Sequence, residues 1–209
     1  MSGELNPVAI LGRKLRTAVR VVRQDPKRFL DLVRRFRFDR YVVFSAPTSQ
    51  VAPPTPLEGA TFRKLSDAEV ETLKDNPEEI GDWVRDSGFN AGYGVFYQDK
   101  MAHVAWLIPA HRDRERSPRL VELQAGEAEI TYCYTFPDFR GLGVYGYSIR
   151  NLFQVARESQ IQEIFMITKV QNTTSQRGIL KAGLSRRRGK IYRFLLLHGH
   201  LIYRRFRKP

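Results

Sequence analysis

Apolar positions between residues 127 and 156 change period once, and that change organises the chain. Glu127 to Tyr134 is rich in β-branched and aromatic residues and predicts a strand. From Val144 onward, Val144, Tyr145, Ser148, Ile149, Leu152, Phe153 and Ala156 share one helical face turned inward. Between the two periods lie Arg140, Gly141 and Gly143. Glycines at this point let the backbone bend tightly and bring N–H groups close to a ligand. A helix start adds unpaired N–H groups and the positive end of a dipole, so the turn suits a phosphate or pyrophosphate.

The same reading extends along the chain. Leu11, Leu15, Ala18, Val19 and Val22 form one face of a first helix, opposite Arg13, Arg16, Arg20 and Arg23. Asp25-Pro26 starts a second helix, with Phe29, Leu30, Val33 and Phe36 inward. Residues 8–40 are thus a basic helical extension. Tyr41 to Phe44 reads as a short strand, and Ser45 to Pro56, with four prolines, as a linker or extended arm. A domain then begins near residue 59. Thr61 to Leu65 is a strand, Ser66-Asp-Ala-Glu69 a capping box opening a helix, and Glu78 to Arg85 another helical segment. Gly92–Tyr97 and Met101–Leu107 are strands joined by a turn at Gln98-Asp99-Lys100. Residues 109–125 are polar and irregular. Glu163 to Lys169 is a strand, Thr174 to Ala182 a helix stopped by Gly183, and Ile191–Leu197 with Leu201–Phe206 a closing hairpin. This order predicts an α/β (mixed α+β) sheet with helices on both faces.

Charge changes the picture at the two ends. The chain of 209 residues carries a net charge of +13. Residues 1–45 hold eleven Lys/Arg against four Asp/Glu, and residues 185–209 hold nine basic and no acidic side chains, which leaves −3 for the middle. Basic ends attract polyanions, so an anionic membrane, nucleic acid or an anionic cofactor enter as partners. Solvated surface is the plain alternative. No apolar run approaches the roughly 20 residues of a membrane span, and no signal peptide is predicted. The one cysteine, Cys133, excludes an intrachain disulfide and is compatible with a reducing compartment. A cytoplasmic protein is the resulting expectation, with peripheral contact at the inner face of the membrane open and nucleic acid less favoured. His198-Gly199-His200 reads as a turn between strands rather than a metal site, because no third ligand is near.

The segment Thr135-Phe-Pro-Asp-Phe-Arg-Gly-Leu-Gly-Val144, followed by Asn172-Thr-Thr-Ser-Gln-Arg-Gly-Ile-Leu-Lys-Ala-Gly183, resembles the GNAT superfamily of acyl-CoA-dependent N-acetyltransferases. That family carries a pyrophosphate loop of the form Arg/Gln-x-x-Gly-x-Gly/Ala at the helix after its fourth strand. Arg140 to Val144 matches it in order, with Tyr145 where the last Gly or Ala usually stands. The resemblance covers Ala60 to about Phe206 and implies a mostly antiparallel GNAT-like sheet in residues 59–209, preceded by the extension, strand and linker of residues 1–58. It implies acetyl-CoA as donor, no metal, and direct attack by an amine in a ternary complex. Pantetheine would lie between the splayed strands Glu127–Tyr134 and Glu163–Lys169. Backbone near Tyr134, Thr135 and Phe136 would hold it, Arg140, Gly141, Leu142, Gly143, Val144 and Tyr145 would hold the pyrophosphate, and Asn172 and Ser175 lie in the second matching stretch.

Acyl transfer to an amine requires loss of a proton from the amine, a donor for the oxyanion and a proton for the thiolate. Glu129 is the candidate base, on the same strand face as Thr131, Cys133 and Thr135, with Glu127 further out. Cys133 as nucleophile lacks a neighbouring His or Asp in sequence, and small buried Cys is common. The family's acid, a Tyr seven residues after the Asn, is replaced here by Ile179. Helical phase places the Tyr145 ring in the core, with its backbone N–H left for phosphate; catalysis by its hydroxyl is the lesser alternative. Asn172 serves either the cofactor or a helix cap. The acceptor pocket is expected from the linker and residues 81–93 and 109–125, with Trp83, Phe89 and Trp106 as contact or core aromatics. An alternative function is a non-catalytic acyl-CoA-binding, membrane- or RNA-associated module, which the isoleucine at 179 favours. A transferase using aminoacyl-tRNA would not need the pyrophosphate turn.

Overall fold

The computed structural model describes residues 37–76, 79–87, 92–110, 120–187, 189–196 and 199–206. The helices predicted before residue 37, Phe89, most of the 109–125 segment and His198 lie outside the described residues. The chain divides into one unit of Met1–Asp39 with Tyr192–Tyr203 and a second of Arg40–Ile191 with Arg204–Pro209. The site lies in the second unit.

Strand β1 is Arg37–Pro47, β2 Ala60–Lys64, β3 Tyr93–Tyr97, β4 Lys100–Pro109, β5 Glu127–Thr135 and β6 Glu163–Lys169. Helices are α1 Asp67–Lys74, α2 Glu79–Ser87, α3 Val144–Glu158 and α4 Thr173–Lys181. The sheet runs β2-β3-β4-β5-β6-β1, and the short β7, Ser185–Arg186, also pairs β1. These seven strands are antiparallel neighbours except for β5 and β6. Strands β8 Gly189–Leu196 and β9 Gly199–Phe206 neighbour each other near the C-terminus.

Local sequence accounts for much of this. Ser66 Oγ accepts from the Glu69 N–H and Glu69 Oε2 accepts from the Ser66 N–H at 2.8 Å, the predicted capping box of α1. Arg63 adds two hydrogen bonds to the same carboxylate, at 2.9 and 2.7 Å. Gln98 and Asp99 both take positive φ, the geometry that lets a tight turn match the twist of its strands. Gly183, at φ 105, ends α4 as predicted.

The sheet is buried on both faces. Val104, Trp106 and Ile108 pack with Val70 and Leu73 of α1 and Ile80 and Val84 of α2. Val42, Phe44, Ala105, Ile130 and Ile164 pack with Ile149, Leu152 and Phe153 of α3 and Ile179 near the end of α4. β1 is longer than the strand predicted at 41–44, and its register from Tyr41–Lys169 to Pro47–Glu163 places Ser45 to Pro47 in the sheet rather than in a linker. Thr48 to Val51 is also anchored: Arg157 donates to the carbonyls of Thr48 and Val51 at 2.8 and 3.0 Å, and Thr48 Oγ1 donates to that of Ile161 at 2.8 Å. A proline-rich composition signals extended backbone, and here β1 and these side-chain bonds hold its first part in place.

Candidate functional site

Two adjacent parallel strands part company at the centre of the sheet. The β5–β6 ladder runs from Glu127–Glu163 to Ile130–Met166 and stops, although β5 continues to Thr135 and β6 to Lys169. Each then follows its other neighbour: β6 stays on β1 as far as Tyr41–Lys169, and β5 stays on β4 as far as His103–Thr135. A bulge directs the separation. Tyr132 takes φ 50, and the β4–β5 register slips between Val104 and Trp106. An extra residue in one strand bends it and raises its twist.

The bulge also reverses which side chains share a face. Glu129 is opposite Ile108 and Thr131 opposite Trp106, both on the face covered by α1 and α2. Cys133 packs on the core beneath α3 and α4. Thr135 faces His103, whose ring in turn meets Tyr145 of α3. The single face predicted for Glu129, Thr131, Cys133 and Thr135 is therefore wrong. Regular alternation assumes an unbulged strand, and the extra residue at Tyr132 turns Cys133 and Thr135 to the other side.

At the open end of β5 the chain turns into α3. Pro137–Phe139 forms one 3-10 turn, and Gly141 and Gly143 have φ of 85 and 80. Side chains rarely tolerate this region, and a Cβ at either glycine would meet nothing within 4 Å. The cradle is thus bare backbone facing open space. Tyr147 N–H donates to the Gly143 carbonyl at 3.0 Å. The N–H groups of Val144, Tyr145 and Gly146 belong to the first turn, where a helix has no acceptors of its own. Arg140 brings the positive charge, while its Nε donates to the Thr135 carbonyl at 3.1 Å and so ties the turn to the strand. Leu142 is exposed at the tip. Open N–H groups, a helix dipole and a guanidinium fit a pyrophosphate.

Of the backbone expected to hold pantetheine, part is committed within the protein. The Phe136 N–H donates to Ala102 at 3.0 Å, and the Thr135 carbonyl serves Arg140. Beyond Ile130, β5 is no longer paired with β6, and the pantetheine expectation falls on this part of the strand.

Asn172 is a helix cap: its Oδ1 accepts from the Ser175 N–H at 3.0 Å. The Ser175 hydroxyl is hydrogen-bonded to the Tyr145 hydroxyl at 3.0 Å. The Tyr145 ring packs on the core, as its helical phase predicts. It also fills space left by Gly178, where a Cβ would come within 2.6 Å of its ring. Burial, and then the nearby Cys133, raise the Tyr145 pKa, and the bond from Ser175 offsets part of this. Loss of solvent, with Glu129 adding repulsion, pushes the Cys133 thiol up to about 12, which does not suit a nucleophile. Ile179 is buried to 1 % exposure and belongs to the core.

His103 is fully buried and exchanges a hydrogen bond with Thr135 Oγ1 at 2.8 Å. Burial lowers its pKa to about 3, so the ring is neutral at physiological pH. His103, Gly178 and the bulge at Tyr132 were not singled out from sequence. His103 is a polar residue inside an apolar strand, which was the one available signal. On the other face, Trp83 meets Tyr132 and Tyr134, each at 6.2 Å between ring centres, and Tyr134 meets Phe136 at 5.2 Å. Trp83 is half-buried, whereas Trp106 is buried core and not a pocket contact.

No protein-family model and no curated relative matches the chain. Solved structures do resemble it. A GCN5-related N-acetyltransferase from Sphaerobacter thermophilus is 16% identical, with 90% of this chain and 56% of that one covered and a TM-score of 0.51. A GCN5-related N-acetyltransferase from Kribbella flavida is 12% identical, covering 78% and 61%, with a TM-score of 0.54. An acetyltransferase from the GNAT family of Colwellia psychrerythraea is 14% identical, covering 82% and 57%, with a TM-score of 0.52. The chain spans a little over half the length of these proteins. The sheet order, the fork between β5 and β6 and the glycine turn opening α3 therefore give this chain the GNAT fold.

Proposed function

We propose that this protein is an acyl-CoA-dependent N-acyltransferase that moves an acetyl group to an amine. The observation that carries this reading is the juxtaposition of the fork with the bare glycine cradle at the start of α3. Arg140, Gly141, Leu142, Gly143, Val144 and Tyr145 would bind the pyrophosphate through backbone N–H groups and charge. Bound acyl-CoA supplies the activated thioester. The uncovered edge of β5 near Tyr134 would orient the donor and offer N–H groups to the developing oxyanion.

Glu129 is the proposed base. It lies at the crotch of the fork, one residue before the last β5–β6 pair, on the face carrying Trp83, Tyr132 and Tyr134. The amine would approach from that face, and Glu129 would take its proton. The fold neighbours support this class of chemistry and leave the acceptor open. The core position of Ile179 favours the second reading, a module that binds acyl-CoA without turnover.

Calorimetric titration of the purified protein with coenzyme A and acetyl-CoA tests the binding, and thiol release over a panel of amines tests turnover. Gly143→Glu places bulk and negative charge where backbone must meet phosphate, so it should abolish binding. Unchanged affinity in that variant rejects the assignment of the turn.

A further inference from the structure

An arginine beside the glycine cradle has no counterpart within the protein. Arg150 stands in the second turn of α3, four residues after Gly146, so the two share one flank of the helix. Helical side chains lean back toward the N-terminus, and the Arg150 guanidinium reaches the level of Gly146. A Cβ at 146 would lie 3.6 Å from Arg150 Nη1, and that is the one surrounding atom it would meet within 4 Å. Glycine weakens a helix, and no packing within the protein requires it at this position. Among the described residues Arg150 forms no ion pair, and its Nε is buried without a hydrogen-bond partner. Arg157 on the same helix is different: its guanidinium is spent on Gln154 and on the carbonyls of Thr48 and Val51. A part-buried cation without a partner is costly, and an anion from outside would relieve that cost.

The proposed donor carries two anionic centres, the pyrophosphate and the ribose 3′-phosphate. The cradle and Arg140 serve the first. Pantetheine leaves the pyrophosphate toward the fork, so the ribose leaves it in the other direction, over the outside of α3. Arg150 is on that side: five residues apart, Arg150 and the core-packed Tyr145 point about 140° apart around the helix. We propose that Arg150 binds the ribose 3′-phosphate of the donor across the bare surface at Gly146, and so sets a preference for the 3′-phosphorylated coenzyme; this rests on the acyl-CoA reading above. A guanidinium presents a planar fork of N–H groups that pairs with two phosphate oxygens at once. The free N–H groups of the first turn go to the pyrophosphate, so the 3′-phosphate requires a side chain. Arg150 is the one cationic side chain of α3 before Arg157, which is already committed.

Calorimetric titration with coenzyme A and with 3′-dephospho-coenzyme A, which lacks only that phosphate, isolates the contact. Wild-type protein should prefer coenzyme A by about tenfold to a hundredfold, the worth of hydrogen bonds to a charged group. The preference should shrink in high salt. Arg150→Met keeps most of the aliphatic stem and removes the charge, and its melting temperature should not fall, because the cation has no internal partner. In that variant the preference should drop to about onefold, with affinity for the dephospho ligand unchanged. Arg150→Lys keeps the charge without the planar fork and should give an intermediate preference. A preference that survives in Arg150→Met overturns the proposal. So does equal weakening of both ligands in that variant, since Arg150 would then serve the pyrophosphate or the fold. If wild-type protein binds neither ligand, the acyl-CoA reading itself falls; if it binds both alike, only the role of Arg150 falls.

Discussion

Gly178→Ala should destabilise the wild-type protein and stabilise the Tyr145→Ala variant. In an ordinary exposed helix interior, alanine is better than glycine by up to about 1 kcal/mol. Here the new methyl carbon would sit 2.6 and 2.7 Å from two carbons of the Tyr145 ring, distances at which something must move. The ring cannot retreat cheaply, since it is bounded by His103 and tethered at its hydroxyl to Ser175. Overpacking of this kind costs about 1–3 kcal/mol, so the net change is a loss of up to about 2 kcal/mol. With the ring removed, only the helix gain remains, about 1 kcal/mol in the other direction. The coupling between the sites is then about 1–3 kcal/mol, as found for residues in direct contact. Urea denaturation followed by the fluorescence of Trp83 and Trp106, the two tryptophans of the chain, measures all four proteins. Gly178→Ala stabilising the protein in both backgrounds would refute the complementary packing.

Gly143→Ala should cost about 1–2 kcal/mol of stability, because the glycine sits at φ 80; a denaturant midpoint equal to wild type would contradict this. His103 has its folded pKa lowered to about 3, below its unfolded value, so it contributes stability above about pH 6.5 that is lost as pH falls toward 3. The stability difference between wild type and His103→Asn should shrink across that window, and a constant difference from pH 7 to 4 argues against a neutral buried ring. Arg63 first, together with Ser66, holds Glu69 down at about 2. Glu69→Gln should therefore cost stability at pH 7 and nothing near pH 2; the pair is part-exposed, which keeps the effect below about 1 kcal/mol. The arginine stripe at residues 13, 16, 20 and 23 should bind anionic vesicles at low salt, at roughly 1 kcal/mol per residue near the surface. Flotation lost in high salt and on deletion of residues 1–24 agrees with this, whereas no flotation of the full chain at low salt refutes it.

The elements legible in the sequence were those whose cause is local. The α1 capping box is written in Ser66 and Glu69, the α4 stop in Gly183, and the α3 start in the change of period after Gly143. The central strands were legible as apolar runs, and the cradle as two glycines next to an arginine. Each depends on residues within a turn or two of one another.

What sequence missed depends on partners far along the chain. The bulge at Tyr132 has no composition signature, because its residue is an aromatic that any strand could hold; it exists where β5 must satisfy β4 while β6 satisfies β1. That one irregularity decides the site. Without it, Glu129 and Cys133 would share a face. With it, Glu129 lies with Trp83 and Tyr134, and Tyr145 with Cys133 and Ser175. The pairing of Tyr145 with Gly178 is equally hidden. From sequence alone, Tyr145 looks like a departure in one motif and Gly178 like a helix weakened by a glycine. Only their contact makes each the reason for the other. A residue that fits a motif poorly is thus better judged by the space around it than by the motif.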